Sequence, residues 1–90
     1  MYVSIRHYPT TSAQEVMRQA NDSFRPIISA LPGFHAYYVF DSGNGTATSV
    51  SVFETQAQAE ESNRKAADWV KKTIPTLITG APQIIAGYGS

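Results

Sequence analysis

Residues 34–54 read FHAYYVFDSGNGTATSVSVFE, and this segment constrains how the rest of the chain can be arranged. Two runs rich in aromatic and β-branched residues, 34–40 and 46–54, predict two strands. Between them stand residues 41–45, DSGNG, whose glycines and asparagine tolerate the positive φ that a tight turn requires. The sequence therefore predicts an antiparallel β-hairpin near its centre.

Patterns for one helix and one strand lie on each side of this hairpin. Apolar residues repeat at helical spacing over residues 13–28 and again over residues 56–72. Residues 2–8 and 83–88 are predicted strands. The order strand, helix, strand, strand, helix, strand is that of a ferredoxin-like α+β fold, in which two helices cover one face of a four-stranded antiparallel sheet. We expect one such domain over residues 1–90.

The helix termini carry recognisable signals. Ser12 with Glu15, and Thr55 with Gln58, have the spacing of a capping box at the start of each helix. Pro26 lies inside the first helical pattern and removes a backbone donor. The apolar pattern continues past it, so we expect a kink there, or a break followed by a second short helix.

Composition excludes several classes of protein. The chain has no cysteine, which excludes disulfides and thiolate metal sites. Seven basic and seven acidic residues give no net charge, which argues against nucleic-acid binding. We see neither a signal-peptide pattern nor an apolar run of membrane-spanning length, so we expect a cytoplasmic protein without a membrane partner. Ninety residues form a marginal core without such cross-links, and this predicts a partner subunit.

Both faces of the predicted sheet carry apolar residues, although two helices can cover only one. Alternation in the second strand places these residues on one face: Phe34, Ala36, Tyr38 and Phe40. We expect the sheet face that carries Tyr2, Tyr8 and Phe53 to lie opposite the helices. A second copy of the sheet is the simplest cover for that face, so the sequence predicts a homodimer.

Two side chains on the second helix are candidates for a ligand site. Asn63 falls within the apolar arc of the helix, where an amide must find a hydrogen-bond partner. It either bonds to backbone or water, or faces a pocket. Trp69 stands at the edge of the same arc, as part of the core or as a surface for an aromatic ligand.

The strands supply further candidates. His7 shares a face with Val3, which we take to be the helix-facing side, and is either a core histidine or a proton acceptor. Tyr37 and Tyr38 are adjacent and must point to opposite faces, one toward the helices and one toward the partner. Arg6 needs an acceptor if its face is buried, either in this chain or across a dimer.

Three segments resemble the antibiotic-biosynthesis-monooxygenase-like family: LPGFxxYY at 31–38, SVSVFET at 49–55, and AExSN at 59–63. These proteins are dimeric α+β barrels. The resemblance implies a sheet-to-sheet homodimer and a ligand pocket between helices and sheet. For some members it implies cofactor-independent oxygenation of quinol-type or polycyclic aromatic substrates, and for others haem degradation.

The functional residues of two branches of this family correspond only in part to the candidate residues of this chain. The haem-degrading branch uses an asparagine on the first strand, with a tryptophan and a histidine on or near the second helix, and of these three only the tryptophan has a counterpart here, Trp69. The quinol-oxygenating branch uses an asparagine and a tryptophan about one turn apart on the second helix, whereas Asn63 and Trp69 are nearly two turns apart. We predict His7, Tyr38, Asn63 and Trp69 as binding residues for a small aromatic ligand, with no cofactor. The alternative is a non-catalytic ligand-binding or stress-associated protein.

Overall fold

The central hairpin forms as predicted in the computed structural model, which describes residues 1–90. Its strands are β2 (Phe34–Gly43) and β3 (Thr46–Phe53). Asn44 at the turn has φ of 53° and Gly45 has φ of 72°, so both adopt the left-handed conformation that the DSGNG sequence predicts. The outer strands β1 (Tyr2–Pro9) and β4 (Gln83–Tyr88) complete an antiparallel sheet in the order β2-β3-β1-β4.

Two helical regions pack on one face of this sheet and form the core with it. The first consists of α1 (Ala13–Gln19), a π-helical turn (Ala20–Phe24) and α2 (Arg25–Ser29). The second is α3 (Gln56–Thr73). The predicted ferredoxin-like α+β fold is thus confirmed. No helix combines the length and apolarity that a membrane crossing would need.

The first helical region is interrupted where the sequence predicts. Pro26 lies at the start of α2, where its missing N–H costs little. The preceding π-helical turn absorbs the change, because the N–H of Arg25 donates to the carbonyl of Ala20. Phe24 and Ile28 both remain buried across this point, so the apolar stripe continues without a loop.

The two predicted capping boxes differ in outcome. At α3 the Thr55 hydroxyl accepts from the Gln58 N–H, and the Gln58 side chain accepts from the Thr55 N–H, so this box is confirmed. The Ser12 side chain makes no cap hydrogen bond, so the prediction of a capping box at the start of α1 is wrong. The partner that the box required, Glu15, instead accepts from the Arg18 guanidinium at 2.9 Å.

The inward face of β1 is the opposite of the predicted one. The even-numbered positions are buried beneath the helices: Tyr2, Ser4, Arg6 and Tyr8. The odd-numbered positions lie on the other face: Val3, Ile5 and His7. The expectation that His7 faces the helices is therefore wrong. The expectation that Tyr2, Tyr8 and Phe53 lie opposite the helices is also wrong, since all three are at most 9% exposed within the monomer. Alternation shows which residues share a face but does not identify the face that the helices cover.

A β-bulge at the start of β2 changes the predicted faces of that strand. The register shifts between Phe34 and Ala36, so Phe34 pairs with Phe53 on the helix side, with ring centroids 5.9 Å apart. Tyr37 is buried and packs against Phe24, whereas Tyr38 is 62% exposed. One tyrosine thus faces the helices, as predicted, but Phe34 does not share a face with Tyr38.

The sheet surface away from the helices is apolar and uncovered, and we call it the open face. Its apolar side chains come from all four strands: Val3, Ile5, Ala36, Tyr38, Phe40, Val50, Val52 and Ile85. Phe40 is 44% exposed and Ile85 is 63% exposed. The open face therefore differs in composition from the surface that the sequence predicted.

Candidate ligand-binding site

A cavity of about 200 Å³ lies between α3, the sheet and the segment that leads into β4, and we call it the main cavity. Nine residues line it: Arg6, Tyr8, Asn63, Ala67, Val70, Ile78, Gly80, Pro82 and Ile84. Arg6 and Tyr8 are buried, whereas Gly80, Pro82 and Ile84 are exposed. The main cavity therefore has an inner end formed by strand β1 and a mouth formed by residues 80–84.

The inner end is polar, and we call Arg6, Tyr8 and Asn63 its polar floor. The side chain of Arg6 donates from Nη2 to Oδ1 of Asn63. Ser4 donates from Oγ to the same oxygen at 3.2 Å. Because Ser4 and Arg6 are alternate residues of one strand, both reach Asn63 on α3. Arg6 therefore has its hydrogen-bond acceptor within the chain rather than across a dimer.

The phenol groups near the floor are held in their protonated form. Burial raises the pKa of Tyr8, and the nearby Arg6 guanidinium only partly opposes this effect. Burial also raises the pKa of Tyr37 to about 12. Both hydroxyls therefore remain hydrogen-bond donors at neutral pH rather than bases.

A second, enclosed cavity of about 20 Å³ lies deeper in the core, and we call it the inner cavity. Arg6 and Tyr8 line both cavities and so form part of the wall between them. Aromatic rings surround the inner cavity, with Phe24 and Trp69 centroids 5.3 Å apart. Its volume suits about one water molecule, so it is not the place for an organic ligand.

The four sequence-predicted binding residues do not converge on one site. Asn63 lies on the polar floor, and Trp69 lines the inner cavity. His7 and Tyr38 belong to the open face, on the other side of the sheet. There His7 Nδ1 is 2.9 Å from the Thr48 hydroxyl. The sheet itself therefore separates His7 and Tyr38 from Asn63.

Sequence reasoning missed Arg6 and Tyr8 as cavity residues. The available signal was the alternation of Ser4, Arg6 and Tyr8 on the face shared with serines of β3. An arginine and serines on a strand flanked by apolar residues suggest a buried polar cluster. Assigning them to a cavity required knowing that α3 covers this face.

The fold can be compared with known proteins. No family model matches the chain, and no curated protein matches it. Among solved structures, the monooxygenase ActVA-Orf6 of Streptomyces coelicolor in complex with nanaomycin D has a TM-score of 0.79 and 14% identity, covering 99% of this chain and 87% of that chain. SnoaB, a cofactor-independent oxygenase from Streptomyces nogalater, has a TM-score of 0.72 and 8% identity, covering 98% and 91%. An MhuD variant with two manganese protoporphyrin IX molecules per active site has a TM-score of 0.73 and 13% identity, covering 99% and 94%.

The chain has the fold of these proteins. It spans nearly the full length of each, so the likeness is to the whole protomer. This is the fold implied by the sequence resemblance to antibiotic-biosynthesis-monooxygenase-like proteins. At identities of 8–14% the likeness is one of fold, and it transfers no ligand from one protein to another.

Proposed function

We propose that the chain binds a small aromatic ligand in the main cavity and oxygenates it without a cofactor. The observation that carries this proposal is the combination of apolar walls with a polar floor. Val70, Ile78 and Ile84 offer apolar contact to a ring, while Asn63 and Tyr8 offer hydrogen bonds to its oxygen. Ligand pockets commonly combine apolar walls with a few placed polar groups. The similarity in fold to a cofactor-independent oxygenase supports the same choice.

The reaction proposed is oxygenation of a quinol-type substrate by molecular oxygen. Hydroquinone and one O₂ molecule would give 2-hydroxy-1,4-benzoquinone and one water molecule. The substrate loses four electrons and O₂ gains four, so no other oxidant or reductant is needed. One oxygen atom enters the ring, and the other leaves as water with two substrate hydrogens.

Asn63 is placed to orient the substrate in this proposal. Its amide oxygen accepts from Arg6 and Ser4, which leaves the NH₂ group to donate to a substrate oxygen. Tyr8, held protonated, is a second donor at the same end. These donors would stabilise the negative charge that the substrate oxygen carries once its proton has left, before electrons pass to O₂.

A second candidate function is ligand binding without catalysis. The observation that favours it is the lack of a general base in the main cavity, whose lining contains no carboxylate and no imidazole. His7 lies on the open face, and the ring Nε2 of His35 is 2.8 Å from Glu54 at the surface. An oxygenase with this lining must pass the quinol proton to water or bind the quinolate form of its substrate, whereas a binding protein needs no proton acceptor.

Oxygen consumption with a panel of hydroquinones distinguishes the two functions. We expect wild-type protein to consume O₂ and to incorporate one ¹⁸O atom from ¹⁸O₂ into the quinone, without hydrogen peroxide. Asn63→Ala should lower the rate about 10-fold or more because it removes a donor to the substrate oxygen. Asn21→Ala, at an exposed amide, is the matched control. Ligand binding without ¹⁸O incorporation would contradict oxygenation and support ligand binding without catalysis.

We also propose that two copies of the chain associate through their open faces. The open face carries apolar side chains from all four strands, and its paired strand positions include no Asp, Glu, Lys or Arg that would repel an identical copy. Tyr38 and Ile85 are each more than 60% exposed in the monomer, which is an unfavourable state for large apolar side chains. A two-fold axis would place each face against its own copy.

A further inference from the structure

Arg6 carries a positive charge that no residue of the chain neutralises. Its side chain is only 3% exposed, and its hydrogen-bond acceptor is the neutral amide oxygen of Asn63. None of the five ion pairs in the structure includes Arg6. None of the seven Asp and Glu side chains is buried. The protein therefore supplies no counter-ion to this guanidinium.

Buried charges in proteins are normally paired, because removing an ion from water is costly without a partner. An arginine does not escape this cost by releasing its proton, as its guanidinium stays ionised. Arg6 lines the main cavity, so a ligand bound there can reach it. We propose that the main cavity takes an organic oxyanion carried on a single aromatic ring, with the charged oxygen paired to Arg6. This inference rests on the proposed function and specifies the charge and the size of its ligand.

The donors on the polar floor suit an oxyanion. A guanidinium presents a planar set of N–H groups that matches a carboxylate or a phenolate oxygen. Tyr8 adds a hydroxyl that burial keeps protonated. The only acceptor oxygen on the floor besides the Tyr8 hydroxyl belongs to Asn63, and Arg6 and Ser4 already donate to it. Nothing on the floor would stabilise a cationic ligand.

The volume of the main cavity limits the ligand to about one ring. A protein cavity of roughly 150 Å³ is enough to hold benzene. The main cavity, at about 200 Å³, leaves room for a ring with one charged substituent and a further small group. Three fused rings would extend beyond it through the mouth at residues 80–84. Walls formed by Val70, Ile78 and Ile84 give the ring apolar contact.

Calorimetric titration with matched pairs of probes tests the charge requirement. Benzoate is compared with the neutral benzamide, and 4-nitrophenolate with 4-nitroanisole, at a mildly alkaline pH where 4-nitrophenol is ionised. We expect at least one anion to bind about 10- to 100-fold more tightly than its neutral partner, as a charge-assisted hydrogen bond provides. A preference for benzoate identifies the group as a carboxylate, and a preference for nitrophenolate identifies it as a phenolate.

Two variants leave the main cavity without an unpaired positive charge, one by deleting the guanidinium of Arg6 and the other by giving it a counter-ion. Arg6→Met keeps an unbranched, flexible stem of four atoms and deletes the guanidinium. Asn63→Asp keeps the guanidinium and places a carboxylate against it, so that the protein supplies its own counter-ion. Both should reduce the affinity for the anion to that for the neutral probe. Asn21→Asp makes the same charge change at an exposed amide that accepts from Arg25, and it should leave binding unchanged.

The outcomes separate this inference from the function it rests on. Equal binding of anions and neutral probes, or an anion preference that survives in Asn63→Asp, would overturn the inference and leave the aromatic ligand in place. Failure of every probe to bind would overturn both. If Arg6→Met does not fold, Asn63→Asp still decides, because it is nearly isosteric and adds a favourable pair.

Discussion

Tyr37 is a buried phenol whose ionisation is opposed by its surroundings. Its side chain is 5% exposed and packs edge-on against Phe24, and the guanidinium carbon of Arg25 lies 5.0 Å from its ring centroid. Burial is the largest cause of its pKa of about 12, with a smaller contribution from Tyr8. An unfolded tyrosine ionises near pH 10, so the folded state holds its proton over a wider range.

Stability should therefore fall as pH rises from about 10 to about 12. Over this interval the unfolded chain releases the Tyr37 proton and the folded chain keeps it, so the folded state binds more protons and loses stability with pH. A pKa of about 12 in the folded chain against about 10 in the unfolded chain corresponds to a loss of roughly 2–3 kcal/mol in the free energy of unfolding. Tyr37→Phe should reduce this dependence to the part that comes from Tyr8, whose pKa burial also raises, measured as the free energy of unfolding in urea at a series of alkaline pH values.

The matched control for this prediction is Tyr88→Phe. Tyr88 is 69% exposed and pairs with Tyr2, so it does not belong to the open face that we propose as the dimer interface. Its substitution should leave the alkaline loss of stability as it is in the wild-type chain. An identical pH dependence in Tyr37→Phe and wild type would contradict the prediction and point to another titrating group.

Arg6 shows what the sequence can and cannot determine at the scale of a residue. Its need for an acceptor follows from its position between Ser4 and Tyr8, and Asn63 stands out as an amide in an apolar helical arc. That the two side chains meet could not be deduced, because the contact depends on which face of β1 the helix covers. Both faces of β1 are apolar enough to be buried, so alternation alone leaves the choice open.

At the scale of elements, short-range sequence signals predicted the hairpin turn and one of the two capping boxes correctly. The hairpin turn and the Thr55 capping box follow from residues a few positions apart, and both form as predicted. The bulge at the start of β2 is different, since no glycine or proline marks it within the strand. It depends on pairing with β3, and it alone separates Phe34 from the face of Tyr38.

The π-helical turn supplies a contact that connects the first helical region with α3. Ser23 lies in this turn, and its hydroxyl accepts from Nε1 of Trp69 at 2.8 Å. The same hydroxyl donates to the carbonyl of Gln19 at 3.2 Å. The indole is therefore fixed beside Phe24 at the inner cavity by a hydrogen bond as well as by packing.

Ser23→Ala should release this indole and destabilise the chain by about 1–2 kcal/mol, because a buried N–H loses its acceptor. Trp69 is the only tryptophan, so its fluorescence emission reports the change directly. We expect an altered emission maximum and a lower midpoint in urea. Ser23→Thr keeps the hydroxyl and should restore both.

Ser29→Ala serves as the control, since that exposed hydroxyl bonds only within its own helix. It should leave the emission unchanged. If Ser23→Ala also left the emission and the stability unchanged, the hydrogen bond from Trp69 would not be what holds the indole.

At the scale of the whole molecule, the two faces of the sheet have separate roles in our proposals. The helix-covered face carries the main cavity and its polar floor. The open face carries His7 and exposed apolar side chains. Apolar residues on both predicted faces of the sheet predicted a covered surface, and the structure has an apolar sheet face available for that purpose. The residues of this face were predicted wrongly, because the odd-numbered positions of β1 were assigned to the helix side and the structure places the even-numbered ones there.

A dimer formed through the open face makes a prediction that a single substitution can test. Light scattering at micromolar concentration should give twice the chain mass of 9.8 kDa. Tyr38→Glu would place two carboxylates in an apolar interface, where each loses its hydration without gaining a partner. It should therefore give the monomer mass while the helix content is kept.

Ile27→Glu is the matched control for this experiment. Ile27 is also a large apolar residue, 40% exposed, but it lies on the helical side of the protein rather than on the open face. A carboxylate there stays in water, so the mass should remain that of the dimer. A wild-type mass of one chain would refute the dimer. A dimer that persists in Tyr38→Glu and dissociates in Ile27→Glu would place the interface on the helices. In that case the open face would need another explanation for its exposed aromatic and aliphatic side chains.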